Sequence, residues 1–583
     1  MRFILLYAKH HWVTLWLLIF VIILITNIYG LLLWIRENRE LKDTLGIFLS
    51  IVYYTLQVFT IESLPEGADN IYLKISKTLA PTLFIALSAG ALIGFFIDRL
   101  RLFWASHFYR EHWIVCGLSE ATVNLIEALK KSGKKVIVLE ENGENPHITY
   151  CKTAGIPYLI SDSSVLISEK SLDRALGVGR SAGMFLIFEE DLKNIHMSQA
   201  VASQINADYK TFVHIVDYSL KHHYDKTSRW IGKVEVSYIN LYEEMARSLF
   251  LRVPLDQGVN RVEKPWIIII GTSEAGLALL WQAFKYKVYP GEKRLRLTLV
   301  GPKAQEIKEF VDSRFVMDGM NLFSALGFDL EVLQKRYELI NSSQDLGIGE
   351  EKPQAIILCT QEDTQTERLR RELSAEKGVK VISLYSQHYM QGEGEHSFNM
   401  YSLAVSSLLN RNELDKMAEL CHLSYLRAFF NIPVDSLWEV DAELRKEKYR
   451  EELDMKSSEK PAINLWENLS EVYRNSNRNL ADHIWEKLRA IDSYFNGKKD
   501  LTLQYIQNIE KALKDEKIVD LLAELEFKRY LRERTLLRDF EKLKAYKKCN
   551  FDYQKIKEEE KEEYNKKPIR ENLLTILKDY AKP

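Results

Sequence analysis

Two stretches of this chain carry no charge: no Asp, Glu, Lys or Arg stands between His10 and Ile35, and none between Thr78 and Ile97. A helix needs about 20 apolar residues to cross a hydrocarbon core about 30 Å thick. Trp12–Ile35 and Thr78–Ile97 both meet that length, and Trp12 and Trp34 stand where interfacial anchors are found. The first run leads into Trp34, Arg36 and Glu37 instead of small residues, so a true span is expected, not a cleaved leader. Basic residues after the second run (Arg99, Arg101, Arg110) and before the first (Arg2, Lys9) predict that both ends lie in the cytoplasm.

A third uncharged stretch, Thr44–Ile61, sits between the two. A full span there would move the bulk of the chain outside the cell, against the basic flank, so a re-entrant pore helix is expected. The segment around its end, Thr55–Gly67, lacks the T-V-G-Y-G sequence of a potassium filter. Thr60 and Glu62 are the pore candidates there, Glu62 as an acidic ring or as an interfacial residue. Gly90 and Gly94 form a G-x-x-x-G pair in the second span, for close helix packing or for a bend in a pore-lining helix.

The rest of the 583 residues reads as water-soluble. Overall 46% hydrophobic and 27% charged residues exclude global disorder and a fibrous repeat. Balanced charge (79 basic, 81 acidic) does not describe a nucleic-acid binder, so no nucleic acid is expected as partner. Cys116, Cys151, Cys359, Cys421 and Cys549 are far apart with no C-x-x-C pair, which fits a reducing compartment and gives no metal or disulfide framework.

Between His112 and Glu140 the pattern is strand, glycine turn, amphipathic helix, strand, with an acidic residue about 20 positions after the turn, as in dinucleotide-binding units. Gly117, Ser119 and Thr122 stand where three glycines are expected. Later strands are predicted at Tyr158–Ile160 (followed by Asp162), Gly183–Phe188 and Phe212–Val216. The same grammar restarts after Pro265, with strands at Trp266–Ile270, Arg294–Val300, Ala355–Cys359 and Val379–Leu384. The two turns, GLSEAT and GTSEAG, resemble each other and predict an internal duplication. Gly271 and Gly276 of the second turn, like Gly117, serve a phosphate or simply a tight strand–helix turn.

A two-helix membrane module with tandem Rossmann-type units resembles the RCK (regulator of potassium conductance, or Trk-type nucleotide-binding) architecture over residues 12–395. The resemblance implies a homotetrameric ring beneath a pore, opened when a nucleotide or ion binds. It makes Gly117, Ser119, Glu140 and Asp162 the nucleotide positions, with an NAD-type or other nucleotide as ligand. Further on, WENLSEVYRNSNRNLADHIWEKLRAI (Trp466–Ile491), Leu521–Arg534 and Asn550–Tyr564 resemble the ryanodine-receptor repeat domain of bacterial proteins. There Arg474, Asn477, Arg478, Asp482 and His483 are the candidate ligand set, since guanidinium pairs bidentately with phosphate; a buried polar network ordering two helices is the other reading.

The expected fold is an α-helical membrane module, then two α/β doubly wound domains, then an all-α C-terminal domain. The boundaries are residues 1–105 for the pore-like module, 112–255 and 264–395 for the two Rossmann-like domains, 396–460 for a helical linker and 461–583 for the terminal domain. No Ser/His/Asp set, metal-spaced histidines or phosphate-binding GxxxxGK[ST] loop is present, so no enzyme is expected; an NAD-dependent enzyme on a membrane anchor is the third alternative. Together these imply a multi-pass protein of the bacterial inner membrane with cytoplasmic domains. It is expected to be a cation channel or channel-like effector gated by a small nucleotide-like ligand, a role the terminal domain's associations connect with anti-phage defence. A membrane-anchored nucleotide sensor without its own pore is the alternative.

Overall fold

Runs such as WIIII and VIVL have no polar face, so they are stable only where both faces of a sheet are covered, as in parallel α/β folds. A computed structural model of the chain, describing residues 20–37, 44–59, 70–168, 171–205, 208–227, 230–255, 264–374, 378–387, 396–491, 503–562 and 566–582, places them that way. The strands are β1 (Trp113–Cys116), β2 (Val136–Glu140), β3 (Tyr158–Ile160), β4 (Gly183–Leu186), β5 (Tyr209–His214), β6 (Trp230–Ile231) and β7 (Val234–Ile239). A second series follows: β8 (Trp266–Ile270), β9 (Leu295–Val300), β10 (Val316–Met317), β11 (Met320–Asn321), β12 (Phe328–Leu333), β13 (Ala355–Leu358), β14 (Lys380–Tyr385) and β15 (Ser397–Asn399).

The first sheet runs β3-β2-β1-β4-β5-β7-β6 and the second β12-β9-β8-β13-β14-β15. In both, the opening strand sits mid-sheet with the second and third on one side and the later ones on the other, the doubly wound dinucleotide-fold order. Every pair is parallel except β6 with β7 in the first sheet and the small β10–β11 ribbon. The duplication expected from the two turns is therefore a duplication of topology.

The chain divides into two compact units, residues 1–103 and 104–583. In the first, Phe20–Glu37 is the one helix, among the described residues, long and apolar enough to cross a membrane; Trp12 and the residues up to 19 lie outside the description. Thr44–Phe59 forms the helix expected there, and Ile71–Phe108 is a single 38-residue helix containing the second expected span. Two full spans are thus not established. Polar contacts join the three helices: Asn27 Nδ2 donates to Thr55 Oγ1 at 2.8 Å and Asn70 Nδ2 donates to the Gly30 carbonyl at 2.8 Å. A Cβ on Gly30 would lie 2.8 Å from Leu73 Cγ, so the small residue permits this approach.

In the second unit one hydrophobic core continues from Val115 and Ile126 of the first sheet layer, through Ile267 and Phe284, to Leu420, Leu488 and Leu531 of the C-terminal helices. Residues 396–460, expected as linker, contribute β15 to the second sheet and a helix, Met400–Leu409, packed against the helices Leu241–Arg252 and Glu120–Lys131. The C-terminal region is helical, with Arg411–Phe430, Glu471–Ala490 and Glu516–Leu536 as its long elements. Arg532 docks it on the second sheet unit. Buried to 2% exposure, it sends all its hydrogen bonds to backbone carbonyls, those of Phe284, Lys287, Leu326 and Gly327.

Candidate functional site

The first glycine turn has the backbone that a phosphate cradle needs. Gly117 has φ +88°, and a Cβ there would come within 2.5 Å of the Ile187 carbonyl oxygen. Its donors, however, are already engaged. The Leu118 N–H donates to Glu140 Oε2 at 2.6 Å, and the Ser119 N–H donates to Thr122 Oγ1 at 2.7 Å. The Thr122 N–H in turn donates to Ser119 Oγ, completing a capping box on the helix Glu120–Lys131. The other Glu140 oxygen accepts from the backbone N–H groups of Glu141 and Asn142 at 2.9 and 2.8 Å.

So the carboxylate expected to meet ribose hydroxyls closes the turn from within. The cleft of about 450 Å³ around it is lined by Glu140, Glu141, Glu189 and Glu190 against the single lysine Lys193. Lys193 pairs with Glu141. An internally satisfied helix start in an acidic cleft does not fit the pyrophosphate of an NAD-type ligand. Asp162 lies at the surface beyond β3, where Oδ1 accepts from Ser164 N at 2.8 Å and caps the next helix.

The second turn is closed differently. Gly301, at the end of β9, stands where the acidic residue would be, and Tyr337 reaches over it. The Tyr337 hydroxyl accepts from the Thr272 N–H at 3.1 Å and lies 3.2 Å from Thr272 Oγ1. Gly276 packs the following helix on the turn so closely that a Cβ would meet the Gly271 carbonyl oxygen at 2.1 Å. Gly271 and Gly276 therefore serve the strand–helix turn.

The polar set of the terminal region is brought together, but as an interface. Arg478 is 4% exposed and clamps Asp415 bidentately at 2.7 and 2.6 Å, with Nη1 also donating to Glu471 and Asn475. Asp482 accepts from Arg247 of the first sheet unit at 2.6 and 3.0 Å. Arg474 lies over the Trp466 ring and donates to the Trp466 carbonyl. Asn477 donates to the Tyr473 carbonyl at 2.9 Å. His483 is 1% exposed beside Glu526, and burial lowers its pKa to about 3, which keeps it neutral. Burial alone would raise the Asp415 carboxyl, but the Arg478 guanidinium holds it below the usual range. Thr60 and Glu62 lie outside the described residues, and Gly90 and Gly94 fall within the backbone of Ile71–Phe108.

One carboxylate at this interface has no such partner among the described residues. Burial, together with Asp441, Asp415 and Glu467, pushes the Glu419 pKa up to about 7. The folded chain thus binds this proton more tightly than the unfolded chain, and stability from this group falls as pH rises from about 4.5 to 7. Glu419→Gln is expected to raise Tm at pH 8 and leave it unchanged at pH 4, read by thermal unfolding at the two pH values.

A groove that the sequence reading did not single out opens beside this interface. Its volume is about 700 Å³, and it is lined from three segments: His222, Lys226 and Thr227; residues 461–473; and the turn from Arg534 to Lys542. The only local signal is basic residues at helix ends, as in KHHYDK and RERTLLRD.

No protein-family model matches the chain, and no curated protein matches it. Among solved structures, GsuK bound to ADP is similar with 15% identity over 70% of this chain and 98% of that one, at a TM-score of 0.36. The GsuK channel bound to NAD has 14% identity over 70% and 83%, at 0.36. Another GsuK channel structure has 17% identity over 68% and 96%, at 0.37.

Proposed function

We propose that the chain is a subunit of a ligand-gated, cation-conducting channel or channel-like membrane effector, gated by a nucleotide-type ligand held in the cytoplasm. The observation that carries this reading is the order of parts in one chain. A membrane-length apolar helix comes first, a last apolar helix runs unbroken to Phe108, and tandem sheets of dinucleotide-fold order follow. One such set of helices cannot enclose an aqueous pore, so the reading requires a symmetric ring, most simply four subunits.

Purified full-length chain in planar bilayers is expected to give current steps that depend on added ADP or NAD, and light scattering in mild detergent is expected to give a tetramer. The second reading, a membrane-anchored nucleotide sensor without a pore, is favoured by the absence of T-V-G-Y-G after the Thr44–Phe59 helix. A stable monomer with no current assigns the chain to that second class.

A further inference from the structure

The first glycine turn engages its own donors, Tyr337 takes the Thr272 N–H of the second, and Arg478 is held between carboxylates. The groove between the end of the helix Tyr218–Asp225, the start of Glu471–Ala490 and the turn after Leu536 differs from these in electrostatic balance. Four cations line it, Lys226, Arg534, Arg538 and Lys542, against one carboxylate, Asp539. That carboxylate is shared, 3.0 Å from Lys542 and 3.5 Å from Arg534. Among the described residues Lys226 and Arg538 have no ion pair, and both are exposed. The Nε of Arg534 is buried with no acceptor.

Two further features bear on what the groove takes. Ser470 is the N-cap of a 20-residue helix, and its side chain makes no capping bond. Ser470 lines the groove, so this helix start stands at its wall, with the first-turn Glu471 already paired to Arg411 and Arg478. Arg538 itself has φ +53°, just past the end of the helix Glu516–Leu536. Glycine is the favoured residue at such a position, and an arginine there bears backbone strain. Its guanidinium lies 5.8 Å from the Phe540 ring and is left free of carboxylates among the described residues. Apolar side chains also line it, Pro461, Val472 and Leu537, beside the half-buried Tyr473. A volume of about 700 Å³ lies within the roughly 300–1,000 Å³ of small-ligand sites.

We propose that this groove binds a nucleotide, its phosphates against Lys226, Arg538 and the helix start at Ser470, and its ring system against Tyr473 and Leu537. The proposal rests on the ligand-gated reading for its consequence and names the site of that ligand. It moves sensing from the glycine turns to the junction of the first sheet unit with the C-terminal helices.

The test is calorimetric titration of the full chain in mild detergent with ADP and with pyrophosphate. The wild-type chain is expected to bind both. Arg538→Gly is expected to lose at least tenfold in affinity for both while its Tm stays the same or rises, because glycine relieves the strained position. Lys226→Gln is expected to lose several-fold, and Glu190→Gln, in the acidic cleft of the first unit, to bind as wild type. No binding of either probe to the wild-type chain overturns the proposal, and so does unchanged affinity in Arg538→Gly. Bilayer recordings separate this from the channel reading. Binding lost in Arg538→Gly, with no current from a wild-type chain that binds, keeps the site and removes the channel. A ligand-dependent current intact in Arg538→Gly does the reverse.

Discussion

Arg478→Met is expected to cost the folded chain about 3–5 kcal/mol, the range for breaking a buried ion pair by removing one partner. Methionine fills much of the same space, so the loss is electrostatic. Asp415, whose side chain is 10% exposed, and Glu471, at 5%, would keep their charges with no guanidinium between them. Arg411 would remain 3.1 Å from Glu471, but it also serves Glu244 at 3.3 Å and cannot replace both contacts to Asp415. Thermal or urea unfolding of the full chain measures the cost. The sign with pH is fixed by the lowered Asp415 carboxyl: the pair contributes fully above the unfolded pKa of about 4 and is lost as pH falls through the folded value. The difference between variant and wild type should therefore shrink in acid. Replacing Arg478, Asp415 and Glu471 together by apolar residues of similar size should restore most of the stability. A variant as stable as wild type at pH 7 would mean that water, not Arg478, solvates those carboxylates.

Gly276→Ala should be nearly as damaging, at the upper end of the roughly 1–3 kcal/mol seen for overpacking. Both atoms the new methyl group meets are backbone, the Gly271 oxygen at 2.1 Å and the Gly271 carbonyl carbon at 2.8 Å. The turn cannot retreat, because Gly271 itself sits so close to the Cys359 carbonyl that its own Cβ would fall at 2.4 Å. The first turn solves the same problem otherwise: Thr122 holds the matching position and gives its hydroxyl to the cap. Hydrogen exchange is the discriminating measurement. Faster exchange confined to β8 and β13, with β1 and β4 unchanged, is expected; equal acceleration in both sheets would contradict the assignment of the clash to the second turn.

The strands read correctly from sequence are the central ones and one edge strand, β3. VIVL of β2 and WIIII are apolar because both faces are covered, and a turn glycine bounds each. Those missed are at or near sheet edges. FDLEVL (β12) alternates polar and apolar residues because it closes one edge, VEVSYI (β7) lies one strand from an edge, and β15 is three residues long. The glycine turns were legible as turns, but the groups that occupy them were not. Glu140 is 22 residues from Leu118, and Tyr337 is 65 from Thr272. Nothing in helical spacing says which polar side chains on Glu471–Ala490 face water, so ligand set and buried network look alike in sequence. The partners Asp415 and Arg247, 63 and 235 positions away, decide between them. The groove is assembled from three distant segments, and none carries a motif alone.

The C-terminal helices are fastened to the sheet units by contacts that respond differently to acid. Arg247–Asp482 and Lys287–Glu486 are charge pairs, weakened by acid. Arg532 holds only neutral carbonyl oxygens, so neither acid nor its loss of carboxylate charge touches that attachment. As the charge pairs give way, the C-terminal region should stay on the second sheet unit, held by Arg532, by Lys528 on the Tyr289 and Gly291 carbonyls, and by the continuous apolar core.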